Sequence, residues 1–134
     1  MVSAEAPLAS DLGDATQPAS EAAQIGDALL WLGHHSIDEF RLTLPPRDNA
    51  YYYFSRLLQL DPSKTAAQEG IRKVAAQYAF LAERETAQGR FDEARSYIRI
   101  GLQIDPNNQS LHLLSELTDK PKAGFWGALT SLFQ

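Results

Sequence analysis

Residues Ala75 to Asn108, AAQYAFLAERETAQGRFDEARSYIRIGLQIDPNN, decide the fold class. Small or apolar residues fall at Ala75, Tyr78, Leu81 and Ala82, then at Phe91, Ala94, Ile98 and Gly101. Most steps are three or four residues, so each set marks one stripe of a helix. Gly89 supplies the permissive backbone that ends the first helix. Ala94 and Gly101 carry almost no side chain, which lets two helices approach closely. Pro106 cannot continue the second helix but suits the first turn of a third. The stretch therefore predicts two helices joined by GRFDEA and closed by DPNN.

A second copy lies upstream. LQLDP at Leu58–Pro62 recurs as LQIDP at Leu102–Pro106, and Ala50, Phe54 and Leu57 recur as Ala94, Ile98 and Gly101. Every pair is 44 residues apart. Between Pro62 and Gly89 there is no proline, and only Gly70 weakens the helical pattern, by about 1 kcal/mol relative to Ala. The spacing predicts one long helix from about Ser63 to Gln88, with Ile71, Val74, Ala75, Tyr78, Leu81 and Ala82 on its buried stripe.

The unit at residues 75–108 resembles a tetratricopeptide repeat, a helix–turn–helix module of roughly 34 residues that stacks into arrays. Tyr78, Leu81, Ala82, Gly89, Phe91, Ala94, Ile98, Gly101 and Pro106 match its small, large and turn positions. Glu85 stands where the family often has an aromatic, and RLTLPPRDN replaces the usual short turn of the upstream copy. The resemblance implies an all-α fold of tetratricopeptide-like antiparallel helix hairpins. About five to six helices are expected, one of them long and central, with a short C-terminal amphipathic helix. It also implies a protein-interaction scaffold or adaptor. The first helix of each unit would line a groove, placing Ala76, Ala79, Glu83 and Thr86 there with Phe80 at the edge. The family's carboxylate clamp of Lys, Arg and Asn has no counterpart at these positions.

Residues 1–19 are rich in Ala, Ser, Asp and Pro and are expected to form a disordered acidic tail or linker. The helical domain is expected over 20–119 and the docking helix over 120–134. A first helix should begin near Ser20, a candidate N-cap, with Ile25, Ala28, Leu29 and Leu32 on its stripe and Phe40 extending it. Leu44 and Pro45 should be extended or turn-like, because a residue before proline avoids the helical region. A second helix follows from about Asn49 to Leu60. Its run Tyr51-Tyr52-Tyr53-Phe54 must cover more than one face. Tyr53 and Phe54 fit the core, which leaves Tyr51 and Tyr52 for a neighbouring helix or a partner. Asn107–Asn108 opens a fifth helix with Leu111, Leu114 and Leu117 inward.

In GFWGALTSLFQ, residues Phe125, Trp126, Leu129, Leu132 and Phe133 fall at i, i+1, i+4, i+7 and i+8. Their dense apolar face needs a surface to pack against. Its own domain, a partner or second copy of the chain, and a membrane surface all remain open.

The 134 residues are 44% hydrophobic and 22% charged, with no cysteine, which excludes disulfides and thiolate metal sites. The first 40 residues hold seven acidic groups and no Lys or Arg, so the remainder carries twelve basic and ten acidic groups. An acidic chain without a basic stripe is not expected to bind nucleic acid. His34, His35, Asp38 and Glu39 form the one cluster with metal-like spacing, and lack a third and fourth ligand; they read as a polar helix end. No nucleophile elbow, phosphate loop or dinucleotide fingerprint occurs. No catalysis, metal or cofactor is expected. The start lacks the basic and apolar regions of a secretory signal. RLTLPPRDNAYYYFSRLLQLDP is similar to repeat regions of proteobacterial envelope and signalling proteins. That leaves a cytoplasmic or an envelope-associated location open.

Overall fold

Asp61 and Asp105 leave their helices by the same path. In a computed structural model, which describes residues 21–119, Asp61 has φ −145° and ψ 91°, and Asp105 has φ −136° and ψ 92°. Each donates its N–H to the carbonyl four residues back, Leu57 or Gly101, at 2.9 Å. Each carboxylate then accepts from the backbone N–H two residues on, Ser63 or Asn107, at 3.2 Å. The following proline keeps the aspartate out of the helical region, and its side chain closes the turn. The 44-residue sequence repeat is thus also a repeat of local geometry.

The described residues hold five helices and no strand: α1 (residues 21–38), α2 (Ala50–Leu60), α3 (Thr65–Ala87), α4 (Phe91–Ile104) and α5 (Gln109–Asp119). The fold is all-α. The chain falls into two compact units that divide between Ala67 and Gln68. The tail at 1–19, the proposed Ser20 cap and the segment 120–134 lie outside the described residues.

In the first unit, α1 packs through small residues. Gly26, Gly33 and Ser36 are its buried positions, whereas Ile25 and Ala28 are exposed and Leu29 and Leu32 half-buried. The expected stripe is therefore displaced onto two glycines and a serine. The reason is Phe54, fully buried on α2. A Cβ on Gly33 would lie 2.5 Å from the Phe54 ring, so the ring occupies the space a side chain would need.

Phe40 does not extend α1. It adopts φ 61° while Arg41 N–H bonds Ser36 O at 2.8 Å and Phe40 N–H bonds Ile37 O at 2.9 Å. This is the six-to-one and five-to-two pairing that ends many helices with a left-handed residue. At α3 the same pairing uses Gly89, φ 76°, with Arg90 N–H on Glu85 O at 2.9 Å and Gly89 N–H on Thr86 O at 3.0 Å. The connection after α1 is anchored by buried Leu42 and by Ala50 N–H on Arg41 O and Tyr51 N–H on Leu42 O. Pro45 follows a cis peptide bond, and Asn49 accepts from Tyr52 N–H at 2.8 Å as the α2 N-cap.

The second unit is built on Ala75, Ala79, Ala82, Ile98 and Leu111, with Tyr97, Leu102, Ile104 and Leu114 packed against them. Gly101 lets Leu111 and Tyr78 close in, since a Cβ there would lie 2.5 Å from a Leu111 methyl. Leu111, capped through Asn108 Oδ1 at 2.9 Å, is fully buried. Leu117 is 37% exposed, and Thr118 takes the inward place expected for it. Its hydroxyl donates to Leu114 O at 2.9 Å, which satisfies the polar atom inside. The Thr118 carbonyl accepts from the Arg95 guanidinium at 2.9 Å, fixing the end of α5 to α4.

α3 changes its buried side along its length. Ala67, Gly70 and Val74 are buried in its first half, and Ala75, Tyr78, Ala79, Ala82 and Thr86 in its second. At about 100° per residue, the two sets differ by about a quarter turn. Ile71 and Leu81, expected inside, sit half-buried at the margins.

Candidate interaction surface

The turning of α3 decides which expected groove residues reach the surface. Ala79 and Thr86 are each only 7% exposed. Ala79 belongs to the core, and the Thr86 hydroxyl donates to Ala82 O at 2.8 Å inside the helix. These two are corrections to the expected groove: the apolar sector of the second half is wide enough to take them in. Ala76 and Glu83 are exposed. Phe80 is 52% exposed, with the Arg84 guanidinium 6.0 Å over its ring. Ala76, Phe80 and Glu83 at i, i+4 and i+7 share one outward side of α3.

At the end of that helix, Arg90 bonds Glu85 through two guanidinium nitrogens, the longer contact being 3.3 Å. This hydrogen bond holds the Glu85 carboxyl below its ordinary range. Glu85 thus has a partner of its own, and the pair spans the turn closed by Gly89.

The aromatic run on α2 divides by face. Phe54 is buried; Tyr53 is half-buried and donates its hydroxyl to Asp48 at 2.8 Å. Tyr52 is half-buried, edge-on to Tyr53 at 5.4 Å with Arg56 5.8 Å from its ring. Tyr51 is exposed. Of the two tyrosines left for a partner, Tyr51 is open and Tyr52 partly enclosed. Asp48 also pairs with Arg41, which bonds Glu39 at 2.8 Å. The Tyr53 hydrogen bond first, then Arg41, lowers the Asp48 pKa against the opposing effect of burial. The same bond raises the Tyr53 pKa.

The histidines separate. His34 meets the Phe54 ring edge-on at 5.1 Å, while His35 stacks on Trp31 at 4.7 Å and approaches Glu39 at 3.4 Å. Among the described residues no group of three or more His, Cys, Asp or Glu is placed to hold a metal. No described helix is long and apolar enough to cross a membrane.

Sequence reasoning missed one concavity. Ala22, Ala23, Gly26, Asp27, Leu57, Leu60, Asp61 and Lys64 line a recess of about 360 Å³ in the first unit. Its signal was present in Gly26, whose missing side chain leaves the space. Phe125, Trp126, Leu129, Leu132 and Phe133, the expected docking residues, lie outside the described residues. Among the described residues, Trp31, Phe40, Tyr51, Phe80 and Leu113 are large apolar or aromatic side chains left exposed. Comparison with protein-family models, with curated proteins and with solved structures finds no match to this chain.

Proposed function

We propose that this chain is a non-catalytic protein–protein interaction scaffold of the tetratricopeptide kind, which receives a partner peptide or helix on the outward side of α3. One observation carries the reading: Phe80, a large aromatic in the middle of α3, is 52% exposed between exposed Ala76 and Glu83. A partner inserting an apolar side chain over Ala76 would cover the Phe80 ring. Glu83 and Arg84 would then supply polar contacts at the rim. A scaffold of this kind needs no cofactor.

The test uses a displayed peptide library selected against the intact chain. Selected peptides should perturb the amide resonances of Ala76, Phe80 and Glu83. Phe80→Ala should weaken them at least about tenfold, equivalent to about 1.4 kcal/mol, without moving the melting midpoint. Peptides that bind Phe80→Ala as tightly as the parent chain, and perturb other residues, would defeat the proposal.

A further inference from the structure

The outward side of α1 carries one large aromatic among carboxylates. At about 100° per residue, Ala28, Trp31, His35 and Asp38 lie opposite the buried Gly26, Gly33 and Ser36. Trp31 is 62% exposed, although one side of its indole lies on the His35 ring, 4.7 Å away and 10° from parallel. The other side of the indole is therefore the open one. His35 in turn approaches Glu39 at 3.4 Å, so the stack is held from within the same stretch of chain. We infer that this face binds a basic segment of another protein, which lays an arginine or lysine on the open side of Trp31. The inference is independent of the α3 reading.

Charge names the occupant. Asp27, one turn before Trp31, and Asp38, two turns after it, are both exposed. Neither makes an ion pair among the described residues, and Lys64 lines the same recess as Asp27 without pairing with it. The first 40 residues contain no Lys or Arg, so α1 has no cation of its own to neutralise them. Indole is the aromatic surface that attracts a cation most strongly, and a guanidinium stacked on it still has edge nitrogens to offer a carboxylate. Asp27 and Asp38 lie about 17 Å apart along the helix axis, a distance that a peptide spans and a single small cation does not. The same carboxylates repel anionic lipid, and two copies of this face repel one another. The His35 stack also fixes the indole beforehand, which lowers the ordering cost of binding.

The test is a displayed peptide library selected against the full-length Phe80→Ala chain. The α3 anchor is missing there, so the two readings fail separately. Enriched peptides should carry more Arg and Lys than the library at large, and their affinity should fall as salt rises. The chain has two tryptophans, so Trp126→Phe leaves Trp31 as the reporter. A bound peptide should shift its emission and shield it from acrylamide. Trp31→Ala should weaken these peptides at least about fivefold, the size of a cation–aromatic contact partly removed from water. Asp27→Asn with Asp38→Asn should flatten the salt dependence. Both variants should keep the parent's helical circular dichroism, because the altered side chains are exposed. Enrichment without an excess of Arg or Lys would overturn the inference. So would a selection that yields no peptide, or basic peptides that bind Trp31→Ala as tightly as the parent. Shielding of Trp31 that grows with protein concentration alone would assign the face to a second copy instead. Shielding on adding phosphatidylcholine–phosphatidylglycerol vesicles would assign it to lipid.

Discussion

Gly33 carries a hydrogen where any larger group would strike the Phe54 ring, at 2.5 Å for a Cβ. Gly26, on the same helix, has only a Leu57 methyl at 3.4 Å. Two identical substitutions should therefore have opposite outcomes. Gly33→Ala gains about 1 kcal/mol of helix propensity but forces a fully buried ring to move, and overpacking typically costs about 1–3 kcal/mol. We expect it to lower the urea midpoint, whereas Gly26→Ala should leave it unchanged or raise it. Equal effects would mean that α1 does not rest on Phe54. The same contrast explains why the α1 face was hidden in the sequence. An apolar stripe announces itself through Leu and Ile, but a helix that receives its neighbour's ring does so with glycine and serine. Ile25 and Ala28 carried the expected pattern and point outward. Phe40 was hidden for a related reason: nothing in a phenylalanine advertises a left-handed backbone, which costs such a residue about 1–2 kcal/mol.

At the scale of elements, the connection from α1 to α2 is organised by Asp48. Its carboxylate takes bonds from Tyr53 and Arg41 and has a folded pKa below its ordinary value. A depressed carboxylate pKa contributes stability above its unfolded value, and that contribution is lost as pH falls through the folded one. Glu85, lowered by Arg90, acts with the same sign. The urea midpoint should therefore fall as pH drops below about 4. Asp48→Asn should be less stable than the parent at neutral pH and show a shallower acid decline. An unchanged acid profile would remove Asp48 from the balance. This network was invisible beforehand because its members are brought together by the backbone path between Arg41 and Asn49, and not by helical spacing. The helices were legible: α2 and α3 begin and end within about two residues of expectation, and α4 lies between Gly89 and the DPNN turn as expected. Their signals, a capping Asn49, a terminal Gly89 and two Asp-Pro turns, act locally. On α5 the spacing was right and one inward position was not, since Thr118 satisfies its hydroxyl on the Leu114 carbonyl and replaces Leu117 inside.

For the whole molecule, charge is distributed unevenly, with every acidic group of the first 40 residues unmatched by Lys or Arg in that stretch. Residues 1–19 contain no aromatic side chain and have little apolar surface to bury. Deleting them should change unfolding free energy by no more than about 0.5 kcal/mol. A clear fall in the melting midpoint would mean that the acidic segment docks on the chain. The changing buried side of α3 has a consequence for anyone lengthening the protein. In a helix, distance is also direction: one residue added near Val74 swings everything beyond it by about 100°. Such an addition would turn Phe80 off its bearing relative to the first half of α3, while Ala79 keeps Ile98 and Leu111 around it and Thr86 keeps its bond to Ala82. Additions of about seven, eleven or eighteen residues would return the far end to nearly its original heading. The outward face of α3 can thus be moved along its axis in steps of two, three or five turns, and at few settings between.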